Sequence, residues 1–163
     1  MEEPALTILN ANRIMSIATV RSDGWPQATI VGYANEGFRL YFLIYRNSQK
    51  FANIARDNRV AITVGQEPPA VEEIEAVYAG CEVRELTDLA ERSRAWTVLA
   101  KRHPNLAQLA PPEDAEVATM IAQCKYVSVL DYSKGLGHTE SLVLEGAASQ
   151  PAAPSAAVST PPS

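Results

Sequence analysis

IMSIATVRSDGWPQATIVGYANEGFRLYFLIY, residues 14–45, decides the fold. Its first part, Ile14 to Arg21, is rich in β-branched residues and stops at Ser22-Asp23-Gly24, a tight-turn signal. A second extended run, Gln27 to Ala34, stops at Asn35-Glu36-Gly37, and a third, Phe38 to Tyr45, follows at once. Strands joined by turns this short predict an antiparallel meander, the opening of a small sheet or barrel rather than of a parallel α/β fold.

Upstream, Pro4 to Asn12 predicts a short amphipathic helix with Leu6 and Leu9 toward the core. Downstream, Ser48 is suited to cap a second helix whose apolar face holds Phe51, Ile54 and Ala55, ending at Asn58-Arg59. Val60–Val64 and Ile74–Glu85 read as further strands, separated by a polar loop with prolines. Thr87-Asp88 caps a longer helix carrying Leu89, Trp96 and Leu99 on one side. Pro111-Pro112-Glu113-Asp114 opens another, with Val117, Met120, Ile121 and Cys124 at helical spacing. Tyr126 to Tyr132 is a sixth strand, followed by a loop from Ser133 to Ser141. The expected class is α+β with a small antiparallel barrel of six strands and flanking helices. The folded domain spans residues 1–145, and residues 146–163, built from Ala, Pro, Ser and similar residues with no charge, form a disordered tail.

Composition narrows the function. The 163 residues carry a formal net charge of −5 and no cluster of Lys and Arg alternating with aromatics, so nucleic acid is not an expected partner. A bound anion then depends on a local constellation. The two cysteines, Cys81 and Cys124, form no C-x-x-C pair and lie in apolar patterns, which predicts buried structural thiols. His103 and His138 offer no metal-ligand spacing, and no metal is expected. The N-terminus lacks the basic and apolar regions of a signal peptide, and no apolar run reaches the ~20 residues of a membrane span. A cytoplasmic location with no membrane partner follows as the expectation.

Arg46-Asn47-Ser48-Gln49-Lys50 is the stretch that bears on chemistry. A helix N-terminus presents free backbone N–H groups and a positive dipole end to a phosphate. Ser48 adds a hydroxyl, Lys50 a charge within the first turn, and Arg46 a planar fork of donors from the preceding strand. Read alone, S-x-K is a weak motif, and the plainer reading is that Ser48 is a cap and the two cations are solvated charges. The loop Ser133 to Ser141 offers Lys134 and His138 between glycines, in a spacing that is neither a P-loop nor a dinucleotide fingerprint.

The ordered series Ile14–Val20, Asp23-Gly24-Trp25-Pro26, Ala28–Tyr33, Leu40-Tyr41-Phe42, Ser48-Gln49-Lys50, Asn53-Ile54, Asn58–Ala61 and Val77–Cys81 resembles the pyridoxamine 5'-phosphate oxidase-like FMN-binding split barrels. The resemblance implies a six-stranded antiparallel split β-barrel that binds FMN in a groove at the interface of a homodimer. Thr29, Ile30, Val31 and Gly32 match the strand along the flavin ring, and Ser48 and Lys50 match the phosphate site, assisted by Arg46 or Thr29. Tyr45 is a candidate neighbour of the ring. Some family positions differ. Thr29 replaces a phosphate-binding arginine, Ala34 replaces a lysine, Glu75 replaces a glutamine, and the C-terminal arginine–histidine pair that grips the namesake's substrate has no counterpart.

The resemblance therefore implies a fold and a cofactor, with an FMN-dependent oxidoreductase acting on an unidentified small molecule as the first reading. A carrier of flavin, heme or deazaflavin without turnover, or a redox sensor on the same fold, is the second. For heme the only candidate axial ligands are the two histidines.

Overall fold

Period-two burial along the strands builds one antiparallel sheet, and the computed structural model describes it within residues 2–144. The predicted tail and its boundary at residue 145 lie outside the described residues. The strands are β1 (Ile14–Val20), β2 (Pro26–Gly32), β3 (Ala34–Glu36), β4 (Arg39–Tyr45), β5 (Arg59–Gly65), β6 (Glu75–Glu85), β7 (Val117–Asp131) and β8 (Thr139–Val143). The helices are α1 (Glu2–Ala11), α2 (Gln49–Arg56) and α3 (Leu89–Arg102). The sheet has eight strands where six were expected. Met15, Ile17, Ile62, Val64, Val77 and Val127 point inward and, with Leu9 of α1 and Ile54 of α2, form the main core.

The strand order β2-β1-β5-β6-β7-β4-β3 places β2 and β3 at opposite edges. Yet only Tyr33 separates them in the chain. The sheet must therefore curl until its edges meet, which is what makes it a split barrel. The expected single strand Gln27–Ala34 is two strands, because its first part pairs with β1 and its continuation with β4. The expected three-stranded meander is corrected accordingly: β4 hydrogen-bonds to β3 and β7 rather than to β2.

The bend is locked from several sides. Tyr33 is fully buried, its N–H donates to the Arg13 carbonyl at 3.0 Å, and its hydroxyl donates to the Leu9 carbonyl at 2.7 Å. His103, the C-cap of α3, meets the Tyr33 carbonyl through Nε2 at 2.8 Å, and a carbonyl can only accept, so that nitrogen carries the proton. Arg102 donates to the carbonyls of Leu9 and Asn12 at 3.2 and 2.9 Å and to Asn35 Oδ1 at 3.0 Å. Its guanidinium also lies 5.8 Å from the centre of the Tyr33 ring.

The second correction concerns residues 117–124, which are the first half of the 15-residue β7 and not a helix. Ala118, Met120, Ala122 and Cys124 enter the barrel core, while Ile121 on the other face is buried with Ala95 and Leu99 of α3. A strand covered on both faces loses its alternation and reads as a continuous apolar run. The register then shifts, Cys81 facing Cys124 and Gly80 facing Tyr126, so that Lys125 is the extra residue of a bulge. Beyond it the inward parity changes to Val127 and Val129. A Cβ on Gly80 would lie 2.2 Å from the Tyr126 ring, so only glycine admits that ring against the sheet. Residues 139–143, partly within the expected loop, form β8 beside β7.

Two smaller expectations change. Ala55 and Leu89 are exposed, and the α2 position facing the core is taken by Asn53 and α3's by Ala95 and Leu99. The cysteines are buried as expected and face one another across β6 and β7, with sulfurs 3.4 Å apart. The contact with Cys124 and burial push the Cys81 thiol up, which keeps it protonated and unreactive. Among the described residues no helix is long and apolar enough to cross a membrane.

Burial pushes the Tyr33 phenol up to about 12. The unfolded chain ionises this group near 10 while the folded chain holds it neutral, so its contribution is intact below about pH 10 and is lost as pH rises toward 12. Urea unfolding across this range should show stability falling by about 2–3 kcal/mol through this group. Tyr33→Phe should flatten that decline; an unchanged slope would show that Tyr33 does not cause it.

Candidate functional site

The short helix α2 begins where the sequence places its cap. Ser48 has extended backbone angles, its Oγ accepts from the Phe51 N–H at 3.2 Å, and its hydroxyl donates to the Tyr45 carbonyl at 2.6 Å. The cap satisfies one of the first-turn amides, and those of Gln49 and Lys50 have no acceptor among the described residues. Lys50 is half-buried and no carboxylate of the described residues lies within 4.0 Å of it. A cation in the first turn is unfavourable against the helix dipole, and no carboxylate of the described residues compensates it.

A buried polar chain ties this helix to β1 and β2. Asn53, 1% exposed, donates through Nδ2 to Thr19 Oγ1 at 3.0 Å and to Gln27 Oε1 at 3.2 Å, while Gln49 Nε2 donates to Asn53 Oδ1 at 2.8 Å. Gln27 and Thr29 share one face of β2, since strand side chains alternate. Thr29 Oγ1 is buried and has no hydrogen-bond partner among the described residues. An unpaired buried hydroxyl costs on the order of 1–3 kcal/mol, so it marks a place where the chain alone is incomplete. Gln27, Gln49 and Asn53 were not anticipated. The available signal was an asparagine on the apolar face of a short helix.

The other predicted residues are distributed as follows. Val31 is buried in the core, Ile30 is 71% exposed on the outward face of β2, and Gly32 ends that strand where a Cβ would lie 3.4 Å from the His103 ring. Tyr45 is exposed at the rim of an apolar cavity of about 260 Å³ that it shares with Leu43, Trp96, Leu106 and Leu109. Arg46 lies over the Phe51 ring of α2's first turn, 5.6 Å from its centre, but its donors are engaged elsewhere: it pairs with Glu85 and donates to the Asp114 carbonyl. Ala34, where the family carries a lysine, is fully buried in the cluster with Ala95 and Leu99, and a lysine there would be buried without a partner. In the loop before β8, Lys134 and His138 both meet Glu140, at 3.2 and 3.1 Å. The hydrogen bonds from His138 and Lys134 hold that carboxyl below the usual range.

The register lines up an outward face across β2, β1, β5 and β6. Ile30 faces Ser16, Ser16 faces Thr63, and Thr63 faces Tyr78; the neighbouring row is Ala28, Ala18, Ala61 and Gly80. Ile14, Ile30 and Tyr78 on this face remain exposed, with Trp25 at its end. These two rows hold small residues and a few large apolar ones without a charge, and Arg59 and Glu82 follow in the next row. Among the described residues no group of His, Cys, Asp or Glu is arranged to hold a metal.

Comparison with known proteins follows this geometry. A heme-binding protein from Mycobacterium smegmatis superposes with a TM-score of 0.74 at 17% identity over 87% of this chain, which spans 57% of that protein. A FAD-binding protein from Mesorhizobium loti superposes with a TM-score of 0.63 at 23% identity, covering 79% of this chain and 93% of that one. General stress protein 26 from Bacillus anthracis superposes with a TM-score of 0.66 at 20% identity, covering 88% and 98%. No curated protein matches the sequence. The sequence model of the pyridoxamine 5'-phosphate oxidase family matches residues 1–130, most of the chain. This chain, with its curled antiparallel sheet and capped α2, belongs to the pyridoxamine 5'-phosphate oxidase family.

Proposed function

We propose that the chain binds FMN and, as a homodimer, works as an oxidoreductase on a small molecule. The observation that carries this reading is Lys50, a cation without a carboxylate partner in the first turn of a capped helix. The free amides of Gln49 and Lys50 add donors, and the orphaned Thr29 hydroxyl lies on the strand tied to that helix through Asn53. This donor set fits a phosphate monoester. With Arg46 held by Glu85 and the Ser48 hydroxyl donating to the Tyr45 carbonyl, the phosphate falls to Lys50 and the free amides of Gln49 and Lys50, at the helix start that Ser48 caps.

When bound, a flavin supplies two-electron chemistry between a donor and an acceptor. The chain's own part is to hold the phosphate at α2 and to present a flat, apolar surface at the outward strand face. Ile30 and Gly32 offer that surface without charge. A second chain on the same face would cover Ile14, Ile30 and Tyr78 and exclude water from the ring. The Mesorhizobium FAD-binding and Mycobacterium heme-binding relatives support cofactor binding on this fold. Flavin is favoured over heme because the donors at the start of α2 suit a phosphate, a group that FMN carries and heme lacks.

Purified protein should show flavin absorption bands or take up added FMN. Lys50→Ala should weaken FMN at least about tenfold, since a charge-assisted bond to phosphate contributes roughly 1.5–3 kcal/mol; an unchanged Kd would refute the phosphate assignment. Ile30→Asp should give a monomer by light scattering that has also lost FMN, and a dimer would place the interface elsewhere. Thr29→Val removes the unpaired hydroxyl while keeping its shape. It should raise the stability of the cofactor-free protein by about 1 kcal/mol and weaken FMN, a pair of opposite shifts that a purely structural threonine would not give. Anaerobic reduction of the bound flavin by NADH or NADPH separates an enzyme from a passive carrier.

A further inference from the structure

A second cleft, of about 670 Å³, opens between the end of α1, β3 and α3, and its charges are not those of the rest of the chain. Arg13, Arg94, Lys101 and Arg102 surround it against a single carboxylate, Glu36. Glu36 is already neutralised: Arg94 donates to it through Nε and Nη2, and Tyr41 donates to it at 3.0 Å. Arg94's hydrogen bonds hold that carboxyl below its usual range.

The remaining cations are uncompensated. Among the described residues Arg102 donates only to neutral oxygens, those of Leu9, Asn12 and Asn35, and its charge has no counter-ion there. Those bonds use three of a guanidinium's five N–H donors and fix the group in place, leaving two for a ligand. Arg13 and Lys101 have no carboxylate within 4.0 Å among the described residues. The fold explains Arg102, which ties α1 to the strand bend, and Arg94, which pairs with Glu36. It explains neither Arg13 nor Lys101, whose charges repel Arg102 across the cleft.

In a chain of net charge −5, this concentration of unpaired cations is a local reversal of the field. The volume lies in the ~300–1,000 Å³ range of small-molecule sites, far beyond what one inorganic phosphate fills. We propose that this cleft is an anion site, separate from α2, that holds the phosphates of a nucleotide-sized small molecule through Arg13, Lys101 and Arg102. A planar guanidinium beside flexible cations suits a diphosphate better than a single carboxylate.

Calorimetric titration of the full chain with ADP and with inorganic phosphate tests the proposal. ADP should bind saturably, more tightly than inorganic phosphate and less tightly as salt rises. The double variant R13E/K101E should weaken ADP at least about tenfold while leaving FMN binding and thermal melting as in the parent. Should that variant fail to fold, R13Q/K101Q takes its place with a smaller expected loss of at least about threefold. Lys50→Ala should leave ADP affinity unchanged. Four results overturn the proposal: no saturable ADP binding, ADP binding indifferent to Arg13 and Lys101, loss of ADP binding in Lys50→Ala, or inorganic phosphate binding as tightly as ADP. The last would mark a simple phosphate site. Because FMN is titrated in the same variants, failure here is distinguishable from failure of the flavin reading.

Discussion

The single residue Tyr33 joins two strands that stand at opposite edges of the sheet, and the barrel depends on how that residue is held. Left unsecured, β2 would simply run on beside β1, and both edges would stay open to other chains. Instead its N–H, carbonyl and hydroxyl are all bonded, to Arg13, His103 and Leu9. These partners come from α1, from the link before β1 and from the end of α3, so one residue fastens both helices to the seam. Arg102 adds a second clasp by donating to the Leu9 carbonyl at the end of α1, which has no donor within the helix, to the Asn12 carbonyl just after it, and to Asn35 of β3.

Closure at that seam determines where a ligand can sit. The barrel interior is filled by side chains, from Met15 and Ile17 through Phe42 to Val127, all essentially inaccessible. A small barrel packed in this way has no internal cavity for a cofactor. Binding must occur on its outer sheet face, at its ends, or where a helix start meets a strand. The chain offers all three: the apolar face of β1 and β2, the cleft beside α3, and the capped start of α2.

Much of this was legible in the sequence wherever a local rule governs a local structure. Turn residues at Asp23-Gly24 and Glu36-Gly37, the cap at Ser48 and the cap at Asp88 each act within four residues, and each appears where expected. The failures share a different cause. Residues 117–124 were read as a helix because Val117, Met120, Ile121 and Cys124 fall at helical spacing. They fall there because α3 covers the outer face of β7 and makes Ile121 as buried as its neighbours. The break at Tyr33 was invisible because its partners, Leu9 and His103, lie 24 and 70 residues away. Arg46 likewise meets Glu85 and Asp114, at separations of 39 and 68 residues that no local pattern encodes. Within the site, the helix start could be read, whereas the side chains that complete or withdraw from it could not.

Charge pairing divides the basic residues into two groups with different meanings. Arg21, Arg59, Arg84 and Arg94 meet Asp23, Asp57, Glu91 and Glu36 at the surface, where such pairs add little stability but cancel the local field. Arg13, Arg39, Lys50, Arg56, Lys101 and Arg102 lack a carboxylate partner among the described residues; three of them, Arg13, Lys101 and Arg102, gather at one cleft, and Lys50 and Arg102 are also partly withdrawn from water. Desolvating a charge without a counter-ion is unfavourable, and crowding three around one cleft adds repulsion. For Arg102 the fold itself offsets the cost through bonds to α1. For Lys50 the described residues offer no such bond, so the proposed anion at α2 is placed by an unpaired, partly withdrawn cation and not by the net charge of −5.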